Sequence, residues 1–570
     1  ATGSLYAFSG LQYIGLPLPQ DRFGAVLRYQ TDHDTVGRAT SCGPRTSRLM
    51  VKVLCEEAVR LGVTFMNNCT GIQMLKSDDG SEVTGVIAAE RSKDKNKFGL
   101  CILKCSRLIL ATGGPGEMYR DSVYPQHCFG SLGMAMEAGI DVANITESQF
   151  GIGTRRFEFP WNLSGTYVQV MPYVYSTDEE GNEYNFLADY YRTTQELVSN
   201  VFRKGYQWPF HATRMANYAS SLVDLAIYIE GRKGHTVYMD FNRNPLPVPG
   251  DKEFSLERLD DDVRDYLLHN DAMQDLPIDR LRCMNPLSIE LYKMHKKDIT
   301  KEALPFDVNN QHMNGGIEID IWARSSLKSC YAIGEIAGTH GVTRPGGAAL
   351  NAGQVFATRC AKHIIHSAAQ VPDSTISKTN QDQVSNSIDE IERYFLNEDA
   401  LHVRDIRNDI QARMSDHAGF ICHVSEIGQA LKDAQDLSAQ IKEKGIRIKH
   451  EIDAPRYYQW RQTALCSEAV LTALNYYAQN GGGSRGARAM CSSEGSVVPE
   501  SRNADLEEFR YIEERDEDKK IRIILKFEDG KFSIRERPIR DMEDPNTIYF
   551  EKNWGNYLTD KIYKDGFISP

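Results

Sequence analysis

Between Tyr331 and Leu350 a short apolar run ends in Gly334-Glu335, and a polar loop then carries His340, Gly341 and Arg344 into Gly346-Gly347-Ala348-Ala349-Leu350. The pattern reads as strand, loop and helix start. A carboxylate directly after a strand accepts hydrogen bonds from ribose or ribityl hydroxyls, and the free N–H groups of a Gly-Gly helix start receive a phosphate or a carbonyl oxygen. A packed strand–turn–helix without a ligand is the alternative. A second glycine-rich exit, Thr112-Gly113-Gly114-Pro115-Gly116, follows the apolar run Arg107–Ala111. Glycines there let a backbone approach a ligand closely at the carboxyl end of a strand.

These groups need elements to hold them. The Arg107–Ala111 run is apolar on both faces, as expected of a buried parallel strand. Before it, Val83, Gly85, Ile87 and Ala89 alternate, and a charged turn from Arg91 to Lys97 leads into Gly99–Leu103, a β pattern. A helix is predicted from Thr46 to near Gly62, with a short strand at Val63–Met66 behind it. Residues from about 146 to 310 are more polar and aromatic, with a helix at Tyr218–Gly231. The region 369–480 reads as helical, including a long amphipathic stretch from Ile388 to Gln429. The tail combines a charge run, Asp505–Arg522, with a hairpin signal: Ile523–Phe527, a turn at Asp529-Gly530, and Lys531–Ile534.

At 570 residues the chain is too long for one core. Its 41% hydrophobic and 25% charged residues are those of a soluble globular protein. A net charge of −12 argues against nucleic acid as partner, because phosphate binding needs clustered Lys and Arg. No apolar run approaches the roughly 18 residues of a transmembrane segment. The twelve cysteines form no CxxC pair, and Cys101 and Cys105 read as packing residues, so no metal site is expected. Unpaired cysteines suit a reducing compartment, which makes cytoplasmic the expected location.

The Gly334–Leu350 segment resembles the second FAD-binding stretch of the succinate dehydrogenase/fumarate reductase flavoprotein family, whose "A-x-G-E" strand end leads to "H-G-x-x-R-x-G-G-x-S-L". Gly334, Glu335, His340, Gly341, Arg344, Gly346, Gly347 and Leu350 match, with Ala349 where the family usually has Ser. Ala111–Gly114 resembles its "A-T-G-G" flavin contact, and Gly133–Gly139 its "G-x-A-M-A-x-x-A-G" helix. His312–Ile317 resembles "H-Y-x-M-G-G-I", and Ser484–Arg488 resembles "S-R-G-x-H". The resemblance covers roughly residues 40 to 490.

It implies an α/β fold: a split, Rossmann-like FAD-binding domain (1–145 and 312–368), an α+β capping domain (146–311), a helical domain (369–490) and a small β-containing tail (491–570). It implies FAD as cofactor, with Thr112, Gly113 and Gly114 lining the flavin site and Glu335 holding the ribityl or ribose. Gly334, His340, Gly346 and Gly347 belong to the same loop, and Ala349 and Leu350 present backbone groups to the isoalloxazine end. Arg344 and His312 match the carboxylate-binding pair, although His312 also reads as a core histidine bonded to backbone. Arg214 is the candidate proton shuttle, with an ordinary solvated arginine as its alternative.

Two departures bear on function. The family's dicarboxylate enzymes carry "Q-F-H-P-T-G", where this chain reads Gln149-Phe150-Gly151-Ile152-Gly153-Thr154, so the dicarboxylate loses a principal contact. No G-x-G-x-x-G follows any strand; that segment is expected upstream in a longer precursor, on another chain, or lost together with FAD. The expected activity is a flavin-dependent hydride transfer to or from an activated C–C or C=C bond of a small-molecule organic acid other than succinate or fumarate. Two alternatives are a flavoprotein subunit with an iron–sulfur electron-transfer partner protein, as in adenylylsulfate reductase, and a non-catalytic relative.

Overall fold

The computed structural model describes residues 3–29, 37–90, 96–155, 159, 165–367, 377–539 and 550–563. Two strands far apart in sequence organise the centre. Leu108–Leu110 pairs in parallel with Cys330–Ala332, Leu110 opposite Ala332, so the two glycine-rich exits leave side by side from carboxyl ends. Gly353, on the helix Ala348–His366, approaches so closely that a Cβ on it would lie 3.6 Å from the Gly334 Cα. The expectation that the Arg107–Ala111 run is buried on both faces is corrected: Ile109 is 44% exposed, because the described residues supply a parallel neighbour on one side alone.

The strands Cys69–Lys76, Val83–Glu90 and Leu100–Lys104 form an antiparallel meander. The helix Thr46–Arg60 forms as its periodicity dictates. The strand expected at Val63–Met66 does not form, since its backbone finds no ladder partner among the described residues and Val63, Phe65 and Met66 stay exposed. The region between the two parallel strands builds a five-stranded sheet in the order Ser148–Thr154, Leu304–Met313, Thr236–Asp240, Tyr173–Thr177 and Glu183–Tyr184. Its first and last strands in sequence are neighbours, with Gly151 opposite Asn309 and Gln149 opposite His312. The register slips between Asn310 and His312, an irregularity of the kind that re-aims side chains next to sites.

The amphipathic stretch Ile388–Gln429 divides between three helices, Lys378–Tyr394, Val403–His417 and Val424–Lys444. Tertiary pairing breaks it: Leu396 adopts a left-handed backbone and donates its N–H to the Ile448 carbonyl, and Ile421–His423 pairs with Ala489–Cys491. The tail hairpin pairs Glu528 with Lys531 across Asp529-Gly530, both at positive φ as a tight hairpin turn needs. Through Leu525 opposite Val142 it joins a sheet with Val142–Ala143 and Gly316–Ile317. Ion pairs from Arg522 and Arg537 to Glu318, and from Arg535 to Asp141, fasten it there.

Candidate functional site

Both glycine-rich segments leave the carboxyl ends of the parallel pair, the place where open α/β sheets present a ligand crevice. Thr112 is exposed there and shares a hydrogen bond with Ser131 (Oγ1···Oγ 2.6 Å). A side chain added at Gly113, Gly334 or Gly347 would meet nothing within 4 Å, and all three have positive φ, so their bare backbones line open space. Gly347 begins the helix Ala348–His366 without a side-chain cap. Ala348 bonds back to Pro345, whereas the N–H groups of Ala349 and Leu350 have no backbone acceptor among the described residues. Gly114 is required by close approach: a Cβ there would collide with the Glu335 carboxylate and lie 2.8 Å from the Tyr124 hydroxyl.

Glu335 Oε1 accepts hydrogen bonds from the Tyr124 hydroxyl and from the Met313 N–H (2.9 Å), and lies 3.2 Å from His312 Nδ1. Burial pushes its carboxyl above the ordinary range, opposed by the Tyr124 and Met313 hydrogen bonds and by Arg344. His312 Nε2 lies 2.9 Å from His340 Nδ1. Burial, then Arg344 and His340, drives His312 well below its usual value; burial and Arg344 push His340 down to about 4. Both rings are therefore neutral. With His312 Nδ1–H donating to Glu335, His340 Nδ1–H donates to His312, and the network assigns a lone pair to His340 Nε2, which is buried without a partner among the described residues.

Arg344, 8% exposed, donates from Nε to Gln149 Oε1 (3.0 Å) and from Nη1 to the Pro345 carbonyl (3.3 Å). That fixes the Gln149 amide with its Nε2 buried and unpaired among the described residues. Burial depresses the Arg344 guanidinium, with Glu335 opposing. Two residues along the same strand face, Gly151 lies under Trp208, whose indole Nε1 is buried without a partner among the described residues. The Asn314 side chain ties the Val342 carbonyl (2.8 Å) across the loop.

The structure thus brings Glu335, His312, His340 and Arg344 together beside Gly114, while Thr112, Gly113, Gly334, Gly346, Gly347, Ala349 and Leu350 belong to the two glycine-rich segments. Among the described residues no hydrogen bond or ion pair is seen between Arg214 and this cluster; its Nη1 donates to the Gln207 carbonyl (3.1 Å), next to Trp208. Phe157 and Trp161, part of the expected aromatic segment, lie outside the described residues. No local pattern points to Tyr124 or Trp208, because only the fold carries them to Glu335 and Gly151. Gln149 is visible as part of its motif, without its role on Arg344.

Phe150 also lines a separate cavity of about 750 Å³, together with Tyr119, Arg155, Asp307, Asn310 and Phe420 among others. Burial beside Asp121 raises the Asp307 carboxyl to about 7. Among the described residues no group of three or more His, Cys, Asp or Glu could hold a metal ion, and no helix is long and apolar enough to cross a membrane.

The family model for the FAD binding domain matches residues 5–350. One subunit of the CoM/CoB fumarate reductase of Methanothermobacter marburgensis is 25% identical over 358 residues, 61% of this chain and 54% of that protein. L-aspartate oxidase of Halalkalibacterium halodurans is 24% identical over 329 residues, 56% of this chain and 48% of that protein. The chain spans about half the length of these curated relatives. An E. coli quinol fumarate reductase structure superposes with a TM-score of 0.69 at 16% identity, covering 95% of this chain and 83% of the other, which establishes a shared fold.

Proposed function

The chain belongs to the FAD binding domain family, and from that premise we propose that it is a flavin-dependent oxidoreductase acting on an activated C–C or C=C bond of an organic acid. The residues present fit FAD. The open backbones at Gly113, Gly334 and Gly347 and the N–H groups of Ala349 and Leu350 suit a flat, oxygen-bearing ring system approached from its edge. Thr112, Gly113 and Gly114 would line it, with Gly346, Gly347 and the loop through His340 closing the other side. Glu335 would meet the ribityl or ribose hydroxyls. Bound FAD supplies hydride exchange at its N5.

The chain's own residues supply the rest. Arg344 receives the substrate carboxylate, its Nε already committed to Gln149, with the Gln149 amide N–H as a second donor. Preoriented donors of this kind polarise the bond beside the carboxylate as charge develops. His312 and His340 hold the loop in register through Glu335 and add an uncharged acceptor at His340 Nε2. Arg214 is the proton donor or acceptor we favour, supported by its bond to Gln207, the neighbour of Trp208. Gly151 offers no side chain to a second carboxylate, which speaks against succinate and fumarate. The carrying observation is Arg344 and Gln149, buried with an unused donor beside the glycine-rich segments.

The test is purification of the full protein followed by an absorbance spectrum and turnover of an organic-acid panel with an artificial electron donor or acceptor. A flavin spectrum with acid-dependent turnover is expected; a flavin-loaded protein that turns over no acid in either direction overturns the reading. A second reading, in which the chain passes electrons to an iron–sulfur partner, draws on the Methanothermobacter relative, which is one subunit of its enzyme. Copurification of an iron–sulfur chain would favour it. The twelve cysteines, all without disulfides, support a cytoplasmic setting.

A further inference from the structure

We infer that the C-terminal hairpin, Ile521–Glu528 with Lys531–Pro538, is a strap on the cofactor loop, and that Glu318 is the positioning residue through which it acts. The inference rests on the FAD reading and concerns a segment outside residues 5–350, which the family model matches. Backbone contact carries the connection. Ile524 pairs with Ala143 and Leu525 with Val142; across that short strand Ala143 pairs with Gly316 and Val142 with Ile317. Ile317 in turn bridges to Ala337 and accepts the Gly338 N–H (2.9 Å). Glycines bring these backbones into direct contact: a Cβ at Gly316 would collide with the Ile336 carbonyl oxygen, and one at Gly338 would lie 2.9 Å from the Gly316 nitrogen and 3.1 Å from the Ala143 carbonyl oxygen. Where backbone packs on backbone, no side chain can rotate to absorb a shift. Glu335 precedes Ile336, and its Oε1 accepts the N–H of Met313, three residues before Gly316. The cofactor-facing carboxylate is therefore supported from the strand Gly316–Ile317 at both ends.

Charge decides how the hairpin is seated. Ile523, Ile524 and Leu525 are buried and hold it against the sheet, as any apolar face would. Glu318 is specific: it follows Ile317, is 7% exposed, and donates its N–H to the Asp141 carbonyl (2.9 Å). Its carboxylate pairs with Arg522 (3.3 Å) and with Arg537, both from the hairpin, while Arg535 pairs with Asp141 on the neighbouring strand. Without Arg522 and Arg537 that carboxylate would be buried facing no hairpin cation, which burial penalises and a shift of the strand toward water relieves. A second tie reaches the same place. Arg485 donates to the Asp518 carbonyl (2.7 Å) at the foot of the hairpin and pairs with Glu147 (2.9 Å), whose carbonyl accepts the N–H groups of Asn314 (3.0 Å) and Gly315 (3.3 Å).

Amide hydrogen exchange read by mass spectrometry, together with FAD titration of the full-length protein, tests the strap. In the double variant Arg522→Gln with Arg537→Gln, exchange should speed up about tenfold in the segments 313–318 and 334–340, stay unchanged in the capping helix Thr194–Arg203, and be matched by an about tenfold weaker Kd for FAD. Adding Glu318→Gln replaces the stranded carboxylate by a neutral amide and should return both readouts most of the way to wild type. Arg535→Gln, which removes an arginine on the exposed rim, should act in the same direction more weakly, and it carries the test if the double variant fails to fold. Unchanged exchange in the two segments, a rise spread evenly over the whole chain, or no recovery on adding Glu318→Gln overturns the strap and leaves the FAD reading standing. A wild-type protein that takes up no FAD overturns the cofactor reading instead, and the exchange measurement then decides the strap by itself.

Discussion

His312 Nε2 lies 2.9 Å from His340 Nδ1, and burial with Arg344 nearby keeps both rings uncharged at neutral pH. The pair connects Glu335 at one end to His340 Nε2, buried without a partner among the described residues, at the other. A single hydrogen-bonded chain therefore runs from Glu335 through His312 to His340. Its neutrality has a consequence in pH.

Because the folded-state value of His340 is pushed down to about 4 from an ordinary 6.5, the pair contributes stability that is present above pH 6.5 and lost as pH falls toward 4. Melting temperature should decline over that window and do so less steeply in His340→Gln. Ligand affinity should show no histidine limb between about pH 5.5 and 8; a transition near the ordinary histidine value of about 6.5 would contradict the neutral pair.

Arg344→Lys removes the planar fork and the bond to Gln149 while keeping the charge. Affinity for an acid substrate should fall about 100-fold, ~2.7 kcal/mol, with the flavin retained. The check is a binding titration beside the flavin-to-protein absorbance ratio.

Gly114→Ala places a methyl against Glu335 and 2.8 Å from the Tyr124 hydroxyl. Overpacking of this kind costs about 1–3 kcal/mol, and the displaced carboxylate should also weaken flavin retention. Denaturant unfolding and flavin release during gel filtration measure the two effects.

Asp307 has its carboxyl raised to about 7 by burial beside Asp121. A raised folded-state value gives stability that is present below about pH 4 and lost as pH rises through about 7. Asp307→Asn should therefore be more stable than the wild type at about pH 8 by roughly 2 kcal/mol, partial exposure reducing the full shift. The difference should vanish near the ordinary aspartate value of about 4; an unchanged pH profile of unfolding would refute it.

Lys204 and Asp224 form an ion pair at 2.7 Å with both side chains fully buried. Lys204→Met alone should cost about 3–5 kcal/mol by stranding the carboxylate, whereas the double change Lys204→Met with Asp224→Leu should recover most of that loss. Thermal unfolding of the three proteins tests this double-mutant cycle.

The motifs were legible because they are local. A strand ending in Gly334-Glu335 before Gly346-Gly347, and another ending in Thr112-Gly113-Gly114, carry their backbone requirements in neighbouring residues. The Asp529-Gly530 hairpin was legible for the same reason. What failed depended on partners. Val63–Met66 has strand composition and no strand to pair with among the described residues, and the Ile388–Gln429 stretch has helical periodicity that Leu396 and Ile421–His423 interrupt by pairing elsewhere.

The glycine exits, the carboxylate and the arginine can be read from consecutive residues alone, because spacing and side-chain chemistry reside there. What those groups touch follows from the folded chain. Tyr124 reaches Glu335 across 211 positions, Gln149 reaches Arg344 across 195, and the indole of Trp208 covers Gly151. Such contacts arise from strand register and packing between distant elements, which local sequence does not encode.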